Sequence, residues 1–195
     1  MSDIERLQSI LAEARATLDA LAADRELLDQ IGRLADTTAT ALGAGGKVWL
    51  FGNGGSAADA QHIAAELVGR FRDERRALAA EALTVNSSVL TAIANDYGFE
   101  EVFARQLEAH ARSGDVAIGI STSGTSRNVL RGLETAQKLG LHTAALTGGT
   151  GGELPGAAIE CVIVPATQTA RIQECHIVVG HMLCELVERA LAEAS

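Results

Sequence analysis

Residues 47–69, KVWLFGNGGSAADAQHIAAELVG, decide the fold. The stretch opens on an apolar run, passes through Gly52-Asn53-Gly54-Gly55, and closes on apolar residues at helical spacing. A short apolar run that turns through glycines straight into a helix is the start of a β–α unit. The same change of pattern recurs along the chain. AEALTV (80–85) precedes a helix from about Ser88, and DVAIGIS (115–121) one from about Ser126 to Leu139. HTAALTG (142–148) follows, then CVIVP (161–165) before a last helix from about Ala170 to the C-terminus. Val, Ile, Leu and Ala runs without polar alternation belong to a parallel sheet buried on both faces. The expectation is an α/β fold, a three-layer sandwich around a five-stranded parallel sheet.

Upstream, from Ile4 to about Ala41, apolar residues recur at helical spacing: Ile4, Leu7, Ile10, Leu11, Leu18, Leu21, Leu27, Leu28, Ile31 and Leu34. Gly32 is the one strong breaker, so this is one long helix or two. Residues 1–42 thus form a helical segment with more apolar surface than a small sheet can cover, and it is expected to pack against another subunit. With 195 residues, 47% hydrophobic, and no repeat or Pro-rich linker, the chain is expected to be a single domain spanning 1–195.

Charge narrows the function. A net charge of -9 repels a phosphate backbone, so no nucleic acid is expected as a partner. The densest positive stretch, Arg70, Arg72, Arg75 and Arg76, is interrupted by Asp73 and Glu74 and reads as a solvated surface turn. No window reaches the run of about 18 apolar residues that a membrane span needs, and MSDIERLQSI does not read as a signal peptide. The expected location is the cytoplasm. Cys161, Cys175 and Cys184, odd in number and without CxxC spacing, read as buried reduced thiols.

In a parallel sheet, ligands bind beyond the carboxyl ends of the strands. Two loops there stand out. Gly52, Gly54 and Ala57 fit the spacing of a dinucleotide fingerprint, but the next strand ends in Val85-Asn86 rather than in the acidic residue a ribose requires, so no nucleotide cofactor is expected. The loop is either a backbone cradle for a polar ligand or a plain tight turn. The second, Ser121-Thr122-Ser123-Gly124-Thr125-Ser126, places five hydroxyls in six residues at a helix start, more than capping explains, and reads as a phosphate cradle. His62 and Glu66 share a helix face at i,i+4, with Asp59 a turn before His62. His181 interrupts an almost wholly apolar segment and so needs a partner or a role. His110 and His142 have no such setting and read as surface, while His176 faces away from His181.

FGNGGSAADAQHIAAEL (51–67), LTAIANDYGFEEVFARQ (90–106), GISTSGTSRNVL (119–130) and TARIQECHIVVGHMLCELVE (169–188) occur in the order and spacing of phosphoheptose isomerases. The chain from about Leu7 to Val187 resembles that family, within the SIS (sugar isomerase) domain, a flavodoxin-like fold. STSG alone marks SIS domains generally; the four segments together are specific to the subfamily. The resemblance implies Glu66 as catalytic base, His181 as catalytic acid, and His62, Glu66, Gln173 and His181 as the ligands of one zinc ion per subunit. It also implies sugar contacts from Asn53, Gly54, Gly55, Ser56, Asn95 and Asp96, and phosphate contacts from Ser121, Thr122, Ser123 and Ser126. Two positions depart from the pattern: Ala170, where some members carry Asp, and Asn86, where many carry an acidic residue.

The implied reaction is an aldose–ketose isomerisation of sedoheptulose 7-phosphate to D-glycero-D-manno-heptose 7-phosphate through an enediol, in a homotetramer with active sites at subunit interfaces. Such a reaction needs a base, a proton donor and an anchor for the phosphate, and Glu66, His181 and the hydroxyl loop fill those roles. The alternatives are a non-catalytic SIS protein that binds a partner, resembling the replication-initiator-associating factor, and a sugar-phosphate sensor.

Overall fold

A computed structural model describes residues 1–193; Ala194 and Ser195, to which the last helix was expected to run, lie outside the described residues. Helices α1 (Asp3–Ala23) and α2 (Arg25–Gly43) lead into β1 (Val48–Gly52) and α3 (Gly55–Val68). There follow β2 (Ala80–Ala82), α4 (Ser87–Tyr97), a 3-10 turn (Phe99–Glu101) and α5 (Ala104–His110). The remainder is β3 (Val116–Ile120), α6 (Arg127–Lys138), β4 (His142–Gly148), α7 (Leu154–Ala157), β5 (Glu160–Val164) and α8 (Thr169–Glu193). All strand pairs are parallel, in the order β2-β1-β3-β4-β5. The expected five-stranded sheet with helices on both faces is therefore present.

The strands alternate between two cores because successive side chains point to opposite faces. Val48, Leu50, Val116, Ile118, Ile120, Ala144 and Leu146 pack with α2, α3 and α8. Trp49, Phe51, Ala117 and Ala145 pack with α5 and α6. Small residues on that second face admit close packing: a Cβ on Gly119 would approach Val129 Cγ1 to 2.9 Å. Beneath the sheet, buried Asp115 accepts from the Lys47 and Arg112 amides and from Trp49 Nε1, all at 2.9 Å.

The N-terminal segment is two helices, broken at Asp24 rather than at Gly32. Asp24 Oδ1 accepts from Leu27 N at 3.0 Å and caps α2, whereas Gly32 sits inside α2, where its cost of about 1 kcal/mol is offset by the burial of Leu27, Ile31, Leu34 and Leu42 on the same helix. Helix α1 buries only Leu21 and is tethered by Arg171 Nη1, which donates to the Ile10 carbonyl at 2.8 Å. Ile4, Leu7 and Leu11 stand exposed. Helix α4 has no fully buried residue, though Leu90, Ile93 and Ala94 are half-buried against the second core.

One expectation about the arginines is corrected. Arg70 and Arg72 are exposed, but the Arg75 side chain is only 13% exposed, drawn inward by the carbonyls at the end of α3 and by Glu188 of α8. The cysteines are free thiols; Cys175 and Cys184 are buried and Cys161 half-buried. Burial pushes the Cys161 thiol up to about 11 and Cys184 up to about 12.

Candidate active site

β1 and β3 are neighbours, yet the helices after them leave on opposite faces: α3 joins the α2–α8 layer and α6 the α5 layer. This is the switch point at which doubly wound sheets open a crevice. In the β1 loop, Gly54 adopts φ +57°, which a side chain would strain. A Cβ on Gly52 would come within 2.7 Å of the Ile120 carbonyl. Asn53 exchanges two amide hydrogen bonds, at 2.8 and 2.9 Å, with buried Asn128 at the start of α6, which ties the two loops together.

In the β3 loop, Ser121 Oγ lies 2.9 Å from Ser126 Oγ, and Ser123 Oγ lies 3.0 Å from Thr125 Oγ1. Ser126 occupies the N-cap of α6, but its hydroxyl makes no capping bond, and α3 likewise starts at Gly54 with no side-chain cap. Two helix N-termini, each with the partial positive charge of its dipole, thus open at the same end of the sheet without an internal anion or hydroxyl to neutralise them. Ser2, Asp24 and Asn86 cap α1, α2 and α4 by accepting from backbone amides, while the short α5 and α7 also start without a side-chain cap.

A second convergence lies along the seam between α3 and α8. His62 Nε2 is 3.0 Å from His181 Nε2 and 3.3 Å from Glu66 Oε1. The ligating atoms of His62, Glu66 and His181 all fall within 4.8 Å of one another. The Phe71 ring centroid lies 5.4 Å from that of His181. The Glu66 side chain is 26% exposed and His62 48%, so the group is open to a ligand. One turn before His62, Asp59 buries Oδ2 without a hydrogen-bond partner; burial pushes this carboxyl up, and the nearby His62 opposes it. Two imidazoles and a carboxylate so placed suffice for proton transfers between adjacent atoms or for holding a divalent cation.

The SIS domain family matches residues 10–148. The phosphoheptose isomerase of Aquifex aeolicus (strain VF5) is 61% identical over 85% of this chain and 87% of its own length. That of Akkermansia muciniphila is 50% identical over 98% of both. The chain belongs to the phosphoheptose isomerase family. The structure of phosphoheptose isomerase GmhA from Neisseria gonorrhoeae superposes with a TM-score of 0.90 at 40% identity, covering 96% of this chain and 100% of that one.

The sequence-derived site residues of this isomerase thus fall into separate places. His62, Glu66 and His181 meet. Gln173 lies in α8, two turns before His181, with its amide against Gly55, where any Cβ would overlap it. Ser56 is buried at the start of α3 and Thr122 is half-buried. Asn95 and Asp96 are exposed near the end of α4, Asn95 Nδ2 donating to Asp96 Oδ1 at 2.7 Å. Asn86 caps α4, accepting from Val89 N at 3.0 Å, a role that Asp would fill equally well. Ala170 is exposed in the first turn of α8.

Among the other histidines, His142 pairs with Glu160 at 2.7 Å and His110 stacks on Trp49. His176 is fully buried with neither ring nitrogen in a well-formed hydrogen bond; burial pushes it down to about 4, partly opposed by the Thr147 backbone. Sequence reading missed Asn128, whose only signal is its place right after the hydroxyl loop. It also missed the brace behind that loop. The Glu153 amide donates to the Gly124 carbonyl at 2.9 Å, and Gly124, at φ +69°, packs backbone to backbone against Gly151. Gly148, Gly149, Gly151 and Gly152 were the visible sign of that close approach.

Proposed function

We propose that this isomerase interconverts sedoheptulose 7-phosphate and D-glycero-D-manno-heptose 7-phosphate through an enediol, with Glu66 as the base and His181 as the acid. The observation that carries the assignment is the convergence of Glu66 with His62 and His181 in the seam between α3 and α8. A scaffold or a sensor has no need for a carboxylate and two imidazoles at that spacing. Glu66 takes the proton from one carbon while His181 protonates the carbonyl oxygen on its neighbour; the enediol collapses as Glu66 returns its proton to that neighbouring carbon and His181 recovers one from the other hydroxyl, with His62, within hydrogen-bonding distance of His181, orienting it. The hydroxyls of Ser121, Thr122, Ser123 and Ser126 and the uncapped start of α6 take the phosphate. Asn53, Gly54, Gly55, Ser56, Asn95 and Asp96 flank the sugar.

His62, Glu66 and His181 are a donor set suited to zinc, which when bound would supply Lewis-acid polarisation of the carbonyl, but the expected fourth ligand, Gln173, sits against Gly55 two turns before His181 and does not reach them within one chain. The protein acts in the cytoplasm as one SIS domain over 1–195; among the described residues no helix is long and apolar enough to cross a membrane.

The working unit is a homotetramer, with residues 1–42 in its contacts. Exposed Ile4, Leu7 and Leu11 on α1, and Val85, Tyr97 and Phe99 around α4, supply apolar surface for it. Assembly also answers a problem of reach. Glu66 lies eleven residues beyond Gly55, about 16 Å along α3 at 1.5 Å per residue, farther from its own cleft than a seven-carbon chain extends. A neighbouring subunit that brings its phosphate loop to the Glu66–His181 pair closes that distance.

Turnover of sedoheptulose 7-phosphate by purified protein tests the reaction, and its absence would leave the partner-binding or sensor reading. For assembly, Glu66→Gln subunits mixed with subunits in which Ser121, Ser123 and Ser126 are all alanine should regain activity. Glu66→Gln mixed with His181→Ala should not, since that pair comes from one chain. A fully active monomer in sedimentation would refute the shared site.

A further inference from the structure

Arg75 and Glu188 touch none of the atoms assigned to the reaction, yet both are buried between the two helices that carry it. The Arg75 guanidinium caps the end of α3: Nη2 donates to the Glu66 carbonyl at 2.9 Å, and Nη1 to those of Leu67 and Gly69 at 2.9 and 3.2 Å. These are carbonyls that a helix terminus leaves without an internal donor. Arg75 Nε lies 2.8 Å from Glu188 Oε1. From α8, Glu188 in turn accepts from the backbone amides of Phe71, Arg72 and Asp73 at 2.8, 3.0 and 3.3 Å. Burial alone would push this carboxyl up, but the three amides and Arg75 hold it below the usual glutamate value. One ion pair thus grips the turn of α3 that bears Glu66, and the backbone of the residue whose ring lies against His181.

We infer that Arg75 and Glu188 are positioning residues for the isomerisation, setting the separation of Glu66 and His181 by fastening the end of α3, and Phe71 with it, to α8. The inference rests on the assignment of Glu66 and His181 as base and acid. Helices α3 and α8 run side by side and each bears one partner of the pair, so a slip of one along the other changes the distance over which protons move. At the middle of the seam Gly180 sits directly on Ile63, where a Cβ would approach Ile63 Cδ1 to 2.6 Å; this fixes how closely the helices approach. The ion pair fixes the far end.

The experiment measures kcat and KM separately for sedoheptulose 7-phosphate, together with thermal unfolding, in wild type, Glu188→Gln, Phe71→Leu and the double variant, with Glu66→Gln as control. A displacement of about 1 Å at the reacting groups costs up to about 100-fold, so kcat should fall at least about tenfold in Glu188→Gln with KM within about twofold. Phe71→Leu should lower kcat in the same direction, and the double variant should be no slower than Glu188→Gln alone, because both changes act through one contact. A purely structural ion pair would lower the melting temperature and leave kcat per folded molecule unchanged, and that result overturns the inference. So does full additivity in the double variant. If Glu188→Gln does not fold, Phe71→Leu decides, with unchanged kcat again counting against the proposal. An inactive wild type, or an active Glu66→Gln, would instead remove the assignment of the pair, and this inference with it.

Discussion

The two ends of the α3–α8 seam are built on opposite principles. At the end facing the sheet crevice, α3 starts at Gly54 with no capping side chain, and only the Gln173 amide covers Gly55. At the other end every available device closes the structure: an arginine on the terminal carbonyls of α3, a glutamate on three backbone amides, and an ion pair between the two. A helix terminus leaves unsatisfied groups wherever it lies, so what differs is who is meant to satisfy them. Along this seam the protein satisfies its own groups at the closed end and leaves them open at the end proposed for the ligand. Helix α6, uncapped at the hydroxyl loop, and α4, capped by Asn86 away from it, repeat the contrast.

The strongest way to break this comparison is to act between the two ends. Glu66→Gln and His181→Ala should each lower turnover by about 10²–10⁴-fold, the usual worth of a positioned acid or base. Circular dichroism should show the fold intact. Near-normal turnover in either variant would mean that the seam is only packing. Next in size is the closed end. Removing one partner of a buried ion pair costs about 3–5 kcal/mol, so Arg75→Met should be destabilised by about that much in urea unfolding at neutral pH. The Glu188 carboxyl is held below the ordinary 4.5, so the stability it contributes is present above pH 4.5 and is lost as pH falls through the lowered value. The gap between wild type and Glu188→Gln should accordingly narrow in acid. A constant gap from pH 7 to pH 3 would mean that charge does not hold this end.

These two ends were not equally legible in the sequence. The sheet was visible because its strands are apolar on both faces, and the crevice because glycines and hydroxyls cluster only where a chain must turn tightly or bind something. His62 and Glu66 share a helix face at i,i+4, a spacing common to surface pairs, and it was the resemblance to the isomerases that singled them out, whereas His181 stood out by its misfit among apolar neighbours. Arg75 gave no such sign: in a run with three other arginines, Asp73 and Glu74, its pattern is that of solvated surface. Its partner sits on a helix far along the chain, and only the fold brings them together. Asn128 was hidden for the same reason, since an amide carries no period and is defined by what it faces. The short helices α5 and α7 were missed because four to seven residues hold too few turns for a periodic signal, and the Leu-Pro-Gly-Ala of α7 reads as a loop.

The open end can be tested by filling it. In Gly55→Ala, the new methyl must displace the end of the Gln173 side chain, which is flexible, so the protein should fold with little loss of stability. The amide would then leave its place over the start of α3, and turnover should drop about tenfold, within the range that small misplacements produce. Should Gly55→Ala retain full turnover, the Gln173 amide is only covering the helix start and takes no part in the site.

The smallest effect separates capping from binding. Asn86 Oδ1 accepts from Val89 N at 3.0 Å, so Asn86→Ala should lower unfolding stability by about 1 kcal/mol, as loss of an N-cap does. Ser126 holds the same position on α6 but bonds sideways to Ser121 at 2.9 Å instead of capping. Ser126→Ala should therefore cost no more than a few tenths of a kcal/mol, well below the price of a true cap. Its effect should appear in KM, which should rise several-fold for the phosphorylated sugar while kcat stays near the wild-type value, with inorganic phosphate competing less well than against wild type. Paired urea melts and initial-rate measurements on the two variants check both halves. If Ser126→Ala lost as much stability as Asn86→Ala and bound phosphate unchanged, the hydroxyl would be an ordinary cap, and the open start of α6 would need another occupant than the substrate's phosphate.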